Sequence, residues 1–314
     1  MAGASAGANR VADPRGTIGI RLLEAPVSYR GDPRALSYIV DHLNPGTTIH
    51  RKVEISNTSG KPRHISLYPA AANVARNSFN APAGRPRNEL VGWMSLDRDS
   101  VDLPPGGTST AQVTIKVPPV ASRGERFGVV WAEAVAEPDD THPVRVVNRV
   151  GIRVYLDVGP GGEPPSDFRI ETLTPARAPD GSPQLVAQVR NTGERTLDMN
   201  GSVSLTEGPG GLQAGPFPAD LGVTLLPDAA ARVTVTMDRR MPDGPWKARL
   251  TLMSGMVKRM ATATLTFPAA GAGLSVEPDE NYLPLVGLVA GLIVPATALG
   301  IVVRRRRRAA TSVS

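Results

Sequence analysis

Histidine, serine and carboxylate side chains are the groups in this sequence that could perform catalysis. The 314 residues include no cysteine and four histidines, which are His42, His50, His64 and His142. No two histidines have the His-Glu-x-x-His spacing of a zinc helix, and no Gly-x-Ser-x-Gly turn presents a serine nucleophile. Without cysteine there is no thiol nucleophile. We therefore predict no catalytic residue, no metal site and no cofactor, although a Ser-His-Asp triad, which is recognised by geometry, stays open as an alternative.

A second group of residues could bind a ligand without transforming it. Residues 70–96 lack strand or helix periodicity and are rich in Asn, Pro and Gly, which predicts a long loop. Aromatic rings, amides and cations recognise sugar polymers that carry peptide carboxylates, and this loop contains all three. For Phe79 and Trp93, closing one end of a β-sandwich is the alternative. The predicted ligand-binding residues are Asn77, Phe79, Arg85, Arg87, Asn88, Glu89 and Trp93.

Short strands must position these residues. Thirty prolines, thirty-two glycines and 20% charged residues favour strands joined by turns over helices. Apolar residues alternate with polar ones at 49–55 and 113–117, which predicts strands with one buried face. Trp131 and Trp246 stand in alternating register on predicted strands, and we assign both to the core. Because no disulfide can form, stability must come from packed apolar cores.

The chain repeats one all-β unit. An apolar strand is followed by an Asn-Thr turn at 57–58 and again at 191–192. A Leu-Pro pair, at 103–104 and again at 226–227, is followed by a strand of alternating apolar residues. Each copy offers about seven short strands with frequent turn signals, the pattern of an immunoglobulin-like β-sandwich. We predict a disordered N-terminus at 1–16, a first domain at 17–158, a linker at 159–167 and a second domain at 168–267.

The C-terminal end predicts one transmembrane helix. Residues 283–303 carry no charge, and as a helix they would span roughly 31 Å, the thickness of a bilayer's hydrocarbon core. Acidic residues precede this stretch and five arginines follow it, so the tail at 304–314 should be cytoplasmic and the larger N-terminal part extracellular. Residues 268–282 would form a flexible juxtamembrane linker. The predicted topology determinants are Arg304, Arg305, Arg306, Arg307 and Arg308.

The N-terminal residues conflict with this topology. No apolar run resembling a signal peptide precedes the first domain. A single-pass type I protein with its domains outside needs an export signal. We therefore expect that the signal peptide is missing from this start site and is encoded upstream of Met1.

Six segments of the first domain carry a resemblance to a known family. They are Gly-Ile-Arg-Leu-Leu-Glu at 19–24, Tyr-Ile-Val-Asp-His-Leu-Asn-Pro-Gly at 38–46, Val-Glu-Ile-Ser-Asn-Thr at 53–58, Asn-Glu-Leu at 88–90, Leu-Pro-Pro-Gly at 103–106 and Gly-Val-Val-Trp-Ala-Glu at 128–133. Residues 17–157 thereby resemble the actinobacterial branch of the DUF916 family, which includes WxL-interacting proteins of Gram-positive cell surfaces. The resemblance implies a peptidoglycan-binding first domain and a second domain that contacts other proteins.

These observations predict a non-enzymatic, membrane-anchored bacterial cell-surface protein. Its expected partner is peptidoglycan, another cell-wall polymer or a surface protein. The alternatives are an extracellular hydrolase, acting as a peptidase or glycosidase, and a chaperone-like module that accepts a partner's strand on an exposed sheet edge such as 18–23. Without the five tail arginines, thirty basic residues face twenty-nine acidic ones. This balance implies no nucleic-acid partner.

Overall fold

The computed structural model describes residues 18–136 and 145–280, which fall within one compact unit of the chain. The predicted disordered N-terminus, the transmembrane helix at 283–303 and the basic tail at 304–314 lie outside the described residues. Among those that are described, no helix has the length and apolar character needed to cross a bilayer. The predicted all-β class is confirmed for this part, which contains two β-sandwiches.

The first sandwich packs a four-stranded sheet against a five-stranded sheet. The four-stranded sheet has the order β1-β3-β9-β7, the five-stranded sheet has the order β2-β11-β10-β4-β8, and β5 pairs with β6 in a separate hairpin. Only the β2–β11 pair among them is parallel. The elements are β1 (Ile18–Leu22), α1 (Pro33–Ser37), β2 (Ile39–Leu43), β3 (Thr48–Asn57), β4 (Arg63–Ala71), β5 (Asn73–Ala75), β6 (Ser78–Asn80), α2 (Glu89–Trp93), β7 (Met94–Leu96), β8 (Ser100–Leu103), β9 (Thr108–Lys116), β10 (Gly124–Ala136) and β11 (Val146–Val158).

The second sandwich has a similar layout. Its sheets have the orders β18-β13-β12-β21 and β16-β15-β19-β20-β22, and β14 pairs with β17. The strands are β12 (Phe168–Arg177), β13 (Pro183–Asn191), β14 (Leu197–Asp198), β15 (Asn200–Thr206), β16 (Ala214–Pro218), β17 (Thr224–Leu225), β18 (Ala230–Thr236), β19 (Trp246–Ser254), β20 (Val257–Leu265), β21 (Gly271–Ala272) and β22 (Asp279–Glu280).

Alternating apolar residues fill each core. Val53 and Ile55 on β3 face Val130 and Ile152 of the opposite sheet's apolar side, and all four are buried. Full burial of one such side chain stabilises the fold by about 1.5–3 kcal/mol. In the second domain Trp246 is 1% exposed, which confirms its predicted core position.

A buried asparagine supports the predicted repeat. In the first domain the Asn57 side-chain nitrogen donates to the Lys61 and Leu103 carbonyls, and its oxygen accepts from the Ser59 N–H. In the second domain the Asn191 side-chain nitrogen donates to the Arg195 and Leu225 carbonyls, and its oxygen accepts from the Gly193 N–H. Each asparagine therefore satisfies the backbone of a turn that joins two strands.

The prediction that Trp131 lies in the core is wrong. Trp131 is half-buried and packs with Tyr68, Ala70 and Val129 on the outer face of the five-stranded sheet. Val130 and its alternating neighbours along β10 face the core instead. The alternation separates the two faces of a strand correctly, but it does not say which face the opposing sheet covers.

Two stretches that were expected to be irregular carry regular structure. The predicted loop at 70–96 contains the β5–β6 hairpin, α2 and β7. Residues 271–280, predicted as part of a flexible linker, pair with the second sandwich through β21 on β12 and β22 on β20. Reciprocal backbone bonds between Leu173 and Val276 hold the middle of this segment to the sheet.

Candidate partner-binding edge

The structure separates the predicted ligand-binding residues into three groups. Asn77 lies against the second sandwich, because its side-chain nitrogen donates to the Ala230 carbonyl at 3.2 Å and its own carbonyl accepts from the Thr224 N–H at 2.8 Å. Phe79 is half-buried, and its ring centroid lies 5.2 Å from that of Tyr155. Both residues contact other parts of this chain.

Three other predicted residues meet around α2. Asn88 caps this helix by accepting from the Val91 N–H at 3.0 Å. The Glu89 carboxylate accepts from Arg126 Nε at 2.8 Å, and the Arg126 guanidinium lies 4.7 Å from the centroid of the Trp93 ring. Trp93 also packs against the first core, so the alternative of closing the sandwich agrees with its position.

The last two predicted residues lie on the surface. Arg85 and Arg87 are exposed, and the Arg85 guanidinium stacks 4.1 Å from the centroid of the Tyr68 ring. Ligand binding by the seven residues stays a prediction. The exposed cations are the part of this set that is free to meet a ligand.

Sequence reasoning missed a row of arginines and aromatic rings on the outer face of the five-stranded sheet. The Arg149 guanidinium lies 4.3 Å from the Trp131 centroid, and the Arg153 guanidinium lies 4.8 Å from the Phe79 centroid. A Cβ on Gly151 would stand 2.6 Å from Cε3 of Trp131. Glycine at 151 therefore allows the indole to lie on β11. The alternation of Arg149, Gly151 and Arg153 was the sequence signal that could have indicated this row.

Part of β11 has a strand on one side only. β11 pairs with β10 along its whole length, from Val146 to Val158, but it pairs with β2 only from Val154 to Val158. Within residues 18–136 and 145–280, no strand pairs with the other side of residues 146–153. We call these eight residues the β11 edge.

One hydrogen bond shows which residues of β11 present their backbone to this side. The Gly159 N–H donates to the Leu43 carbonyl at 3.1 Å, at the end of the β2–β11 pairing. The two sides of a strand alternate with period two, and the register of β11 with β10 has no shift. The N–H and C=O groups of Val147, Arg149, Gly151 and Arg153 therefore point away from β10.

The strand predicted as an edge at 18–23 is also an edge in the structure. β1 pairs with β3 alone among the described strands. The Leu23 N–H donates to the Lys52 carbonyl at 2.9 Å, so Ile18, Ile20 and Leu22 present their backbone groups outward. This edge offers three residues, whereas the β11 edge offers four.

A buried polar network holds the two sandwiches together. The Asp198 carboxylate accepts from Arg34 Nε at 2.7 Å, from the Tyr155 hydroxyl at 2.8 Å and from the Thr224 hydroxyl at 2.8 Å. Arg153 lies at 3.4 Å from the same carboxylate. Burial acts to lower the pKa of Arg34, but Asp198, Tyr155 and other acidic neighbours outweigh it and raise that pKa. We call this group of side chains the Asp198 network.

Arg195 extends this contact on the linker side. Its side chain is 1% exposed and is paired with Glu125 of the first sandwich, at 3.6 Å, and with Glu163 of the linker. The Thr196 N–H and hydroxyl also donate to Glu125. Burial lowers the pKa of Arg195 more than Glu125 restores it. A buried guanidinium of this kind needs its partners, because an unpaired buried charge is strongly destabilising.

A cavity of about 230 Å³ adjoins these contacts. Its charged lining residues are Asp32, Arg34, Glu163 and Arg195, which balance in formal charge. Asp32 already accepts the Arg34 and Ala35 N–H groups, and Glu163 accepts from Tyr29 and Arg195. The cavity therefore has no excess charge that would select an ionic ligand.

Comparison with known proteins adds a distant structural likeness. No family model matches the sequence, and no curated protein matches it. The Pseudomonas aeruginosa CupB2 chaperone is 13% identical over 73% of this chain and 97% of its own, with a TM-score of 0.38. A chain from the Salmonella enterica SafA pilin–SafB chaperone complex is 12% identical over 73% and 93%, with a TM-score of 0.40. The Escherichia coli chaperone DraB is 10% identical over 77% and 94%, with a TM-score of 0.37. At these scores the likeness assigns no function to this chain.

Proposed function

We propose that this chain is a non-catalytic protein-recognition module that binds an extended segment of a partner protein along the β11 edge. The observation that carries the proposal is that no strand in the described part of the chain pairs with the outward side of residues 146–153. Unpaired N–H and C=O groups in a row form a template on which another strand can be added. The predicted span at 283–303 and the basic residues after it would hold the module on the outer side of a cell membrane.

The composition of the β11 edge supports this function. Proteins usually protect an open edge with proline, charged side chains or a β-bulge. Residues 146–153 contain no proline and the register of β11 has no bulge, and the two charged side chains, Arg149 and Arg153, lie over the Trp131 and Phe79 rings. Val146 and Val147 are 45% and 52% exposed. An edge that begins with two exposed apolar side chains favours association with a further strand.

Replacing Val147 with proline should weaken partner binding without unfolding the domain. Proline removes one outward N–H, and the bonds from β11 to β10 do not use that group. We expect peptides selected from a random nonapeptide display library on the full-length chain to bind the Val147→Pro variant at least about tenfold more weakly, a loss of about 1.4 kcal/mol. Binding is measured by titration of the selected peptides.

The matched control is a proline on another edge strand. Asp102 lies on β8, the opposite edge of the same sheet. The Leu67 N–H donates to the Asp99 carbonyl, so the alternation turns the Asp102 backbone outward as well. Asp102→Pro should bind the selected peptides as the unmodified chain does. Selection of no peptides, or of peptides that bind Val147→Pro equally well, would contradict the proposed function.

Binding of a cell-wall polymer is the second candidate function. The exposed residues Arg85 and Arg87 favour it. We expect the full-length chain to sediment with isolated peptidoglycan, and the double variant Arg85→Gln, Arg87→Gln to sediment several-fold less because two charge-assisted hydrogen bonds are lost. Arg232→Gln, a substitution on β18 in the other sandwich, is the control. A chain that stays in the supernatant rules this function out.

A further inference from the structure

We infer that the partner segment carries an acidic side chain at the position opposite Gly151, between apolar side chains that face the sandwich interior. This inference rests on the proposed binding at the β11 edge and names the chemistry that would be recognised there. A partner segment that alternates acidic and apolar residues would place its acid beside the arginines of the outer face and its apolar side chains on the core side.

The position opposite Gly151 lies between two arginines. Residues 149, 151 and 153 share the outer face of the sheet, because side chains two apart along a strand lie on one face. A residue directly across from Gly151 on an added antiparallel strand would have Arg149 and Arg153 as its diagonal neighbours, at about 7–8 Å between backbones. Long side chains reach across this distance. The Trp131 indole covers Gly151, so the incoming side chain would lie beside this ring, on the side away from β10.

The two arginines beside Gly151 share their nearest carboxylates with other groups. Arg153 shares Asp198 with Arg34. Glu133 stands opposite Arg149 in the β10–β11 register and also accepts from the Tyr68 hydroxyl at 2.5 Å. An incoming carboxylate would give Arg149 and Arg153 a further partner, whereas an incoming lysine or arginine would meet like charges.

The other face of the β11 edge is apolar. Val150 and Ile152 point into the first core and are 7% and 2% exposed. Ile18 and Ile20 of β1 belong to the same core. The residues on either side of the acidic position would point toward this side, where apolar groups extend an existing core and charged groups would lose their hydration.

A selection of random nonapeptides on the full-length chain tests the inference directly. Among clones whose binding depends on Val147, we expect Asp or Glu to be enriched at one position flanked on both sides by apolar residues. In a synthetic peptide from such a clone, changing the acid to its amide should weaken binding about three- to tenfold, since a charge-assisted hydrogen bond is lost. Changing it to lysine should weaken binding further.

Variants of this chain show whether Arg149 and Arg153 cause the preference for an acidic peptide. In Arg149→Gln the ratio of affinities for the acidic and amide peptides should fall toward one, whereas Arg98→Gln, an exposed arginine between β7 and β8, should keep the ratio. Hydrogen exchange places the peptide, because bound peptide should protect the amides of Arg149, Gly151 and Arg153 from exchange.

The two proposals fail in different ways. If no clone depends on Val147, the proposed function is wrong. If clones depend on Val147 but show no acidic preference, or keep that preference when both Arg149 and Arg153 are glutamine, strand addition stands and the acidic partner is overturned.

Discussion

Replacing Asp198 with alanine should lower the free energy of unfolding by about 3–5 kcal/mol. The Asp198 carboxylate is 16% exposed and accepts hydrogen bonds from Arg34, Tyr155 and Thr224. Arg34 has a side chain that is only 9% exposed, so the variant would leave a buried guanidinium without its ion pair. Denaturant unfolding of the full-length chain measures the change.

Two further variants separate the causes of this effect. Asp198→Asn keeps the shape and some hydrogen bonds but removes the charge, and its stability should fall between those of the wild type and Asp198→Ala. Asp238 is an exposed carboxylate paired with Arg240, and Asp238→Ala should unfold at the denaturant concentration of the wild type because exposed pairs contribute little. If Asp198→Ala behaves like Asp238→Ala, the Asp198 network does not stabilise the protein.

Replacing Trp246 with alanine should cost about 3–5 kcal/mol, because it leaves a cavity in the second core. Its indole is 1% exposed, its Nε1 donates to the Pro242 carbonyl at 2.9 Å, and a Cβ on Gly208 would lie 2.1 Å from its ring. Because the indole is packed closely on all these sides, we expect its neighbours not to move in and fill the space that alanine leaves. Trp131→Ala, on the half-buried outer face, should cost less.

The Asp198 network determines how many transitions the Trp246 variant shows. Because this network joins the two sandwiches, we expect Trp246→Ala to unfold in one transition at lower denaturant. Combining it with Asp198→Ala should split the curve into two transitions, in which the second sandwich unfolds first. Two transitions in Trp246→Ala alone would show that the sandwiches are not coupled through Asp198.

Most strands of both sandwiches could be predicted from local patterns. The alternation around Val53 and Ile55 identifies β3, and the turns at Asn57 and Asn191 identify the two copies. These signals are local, since a strand with one apolar face repeats every two residues and each asparagine accepts from an N–H two residues ahead in its turn. The two copies of an all-β unit follow from the same signals.

The roles of the predicted site residues could be inferred less well from the sequence than the strands could. Asn88 caps α2 and Glu89 pairs with Arg126, and the sequence did not reveal either contact; ligand binding by these two residues stays a prediction. A polar residue in a non-periodic stretch has the same appearance in the sequence whether it binds a partner or satisfies its own backbone. Only the folded chain shows which atoms already have partners.

The sequence by itself determined most strands and the repeat of an all-β unit, because these depend on composition or periodicity within a short stretch; the membrane anchor stays a prediction. Tertiary structure decided that Trp131 faces outward, that Asp198 meets Arg34 and that β2 covers only the last five residues of β11. These contacts join residues far apart in the chain, and they depend on which sheets pack together and where one strand stops. The β11 edge arises in this way: the β2–β11 pairing begins at Ile39 and Val154, and no strand among the described residues pairs with the same side of residues 146–153.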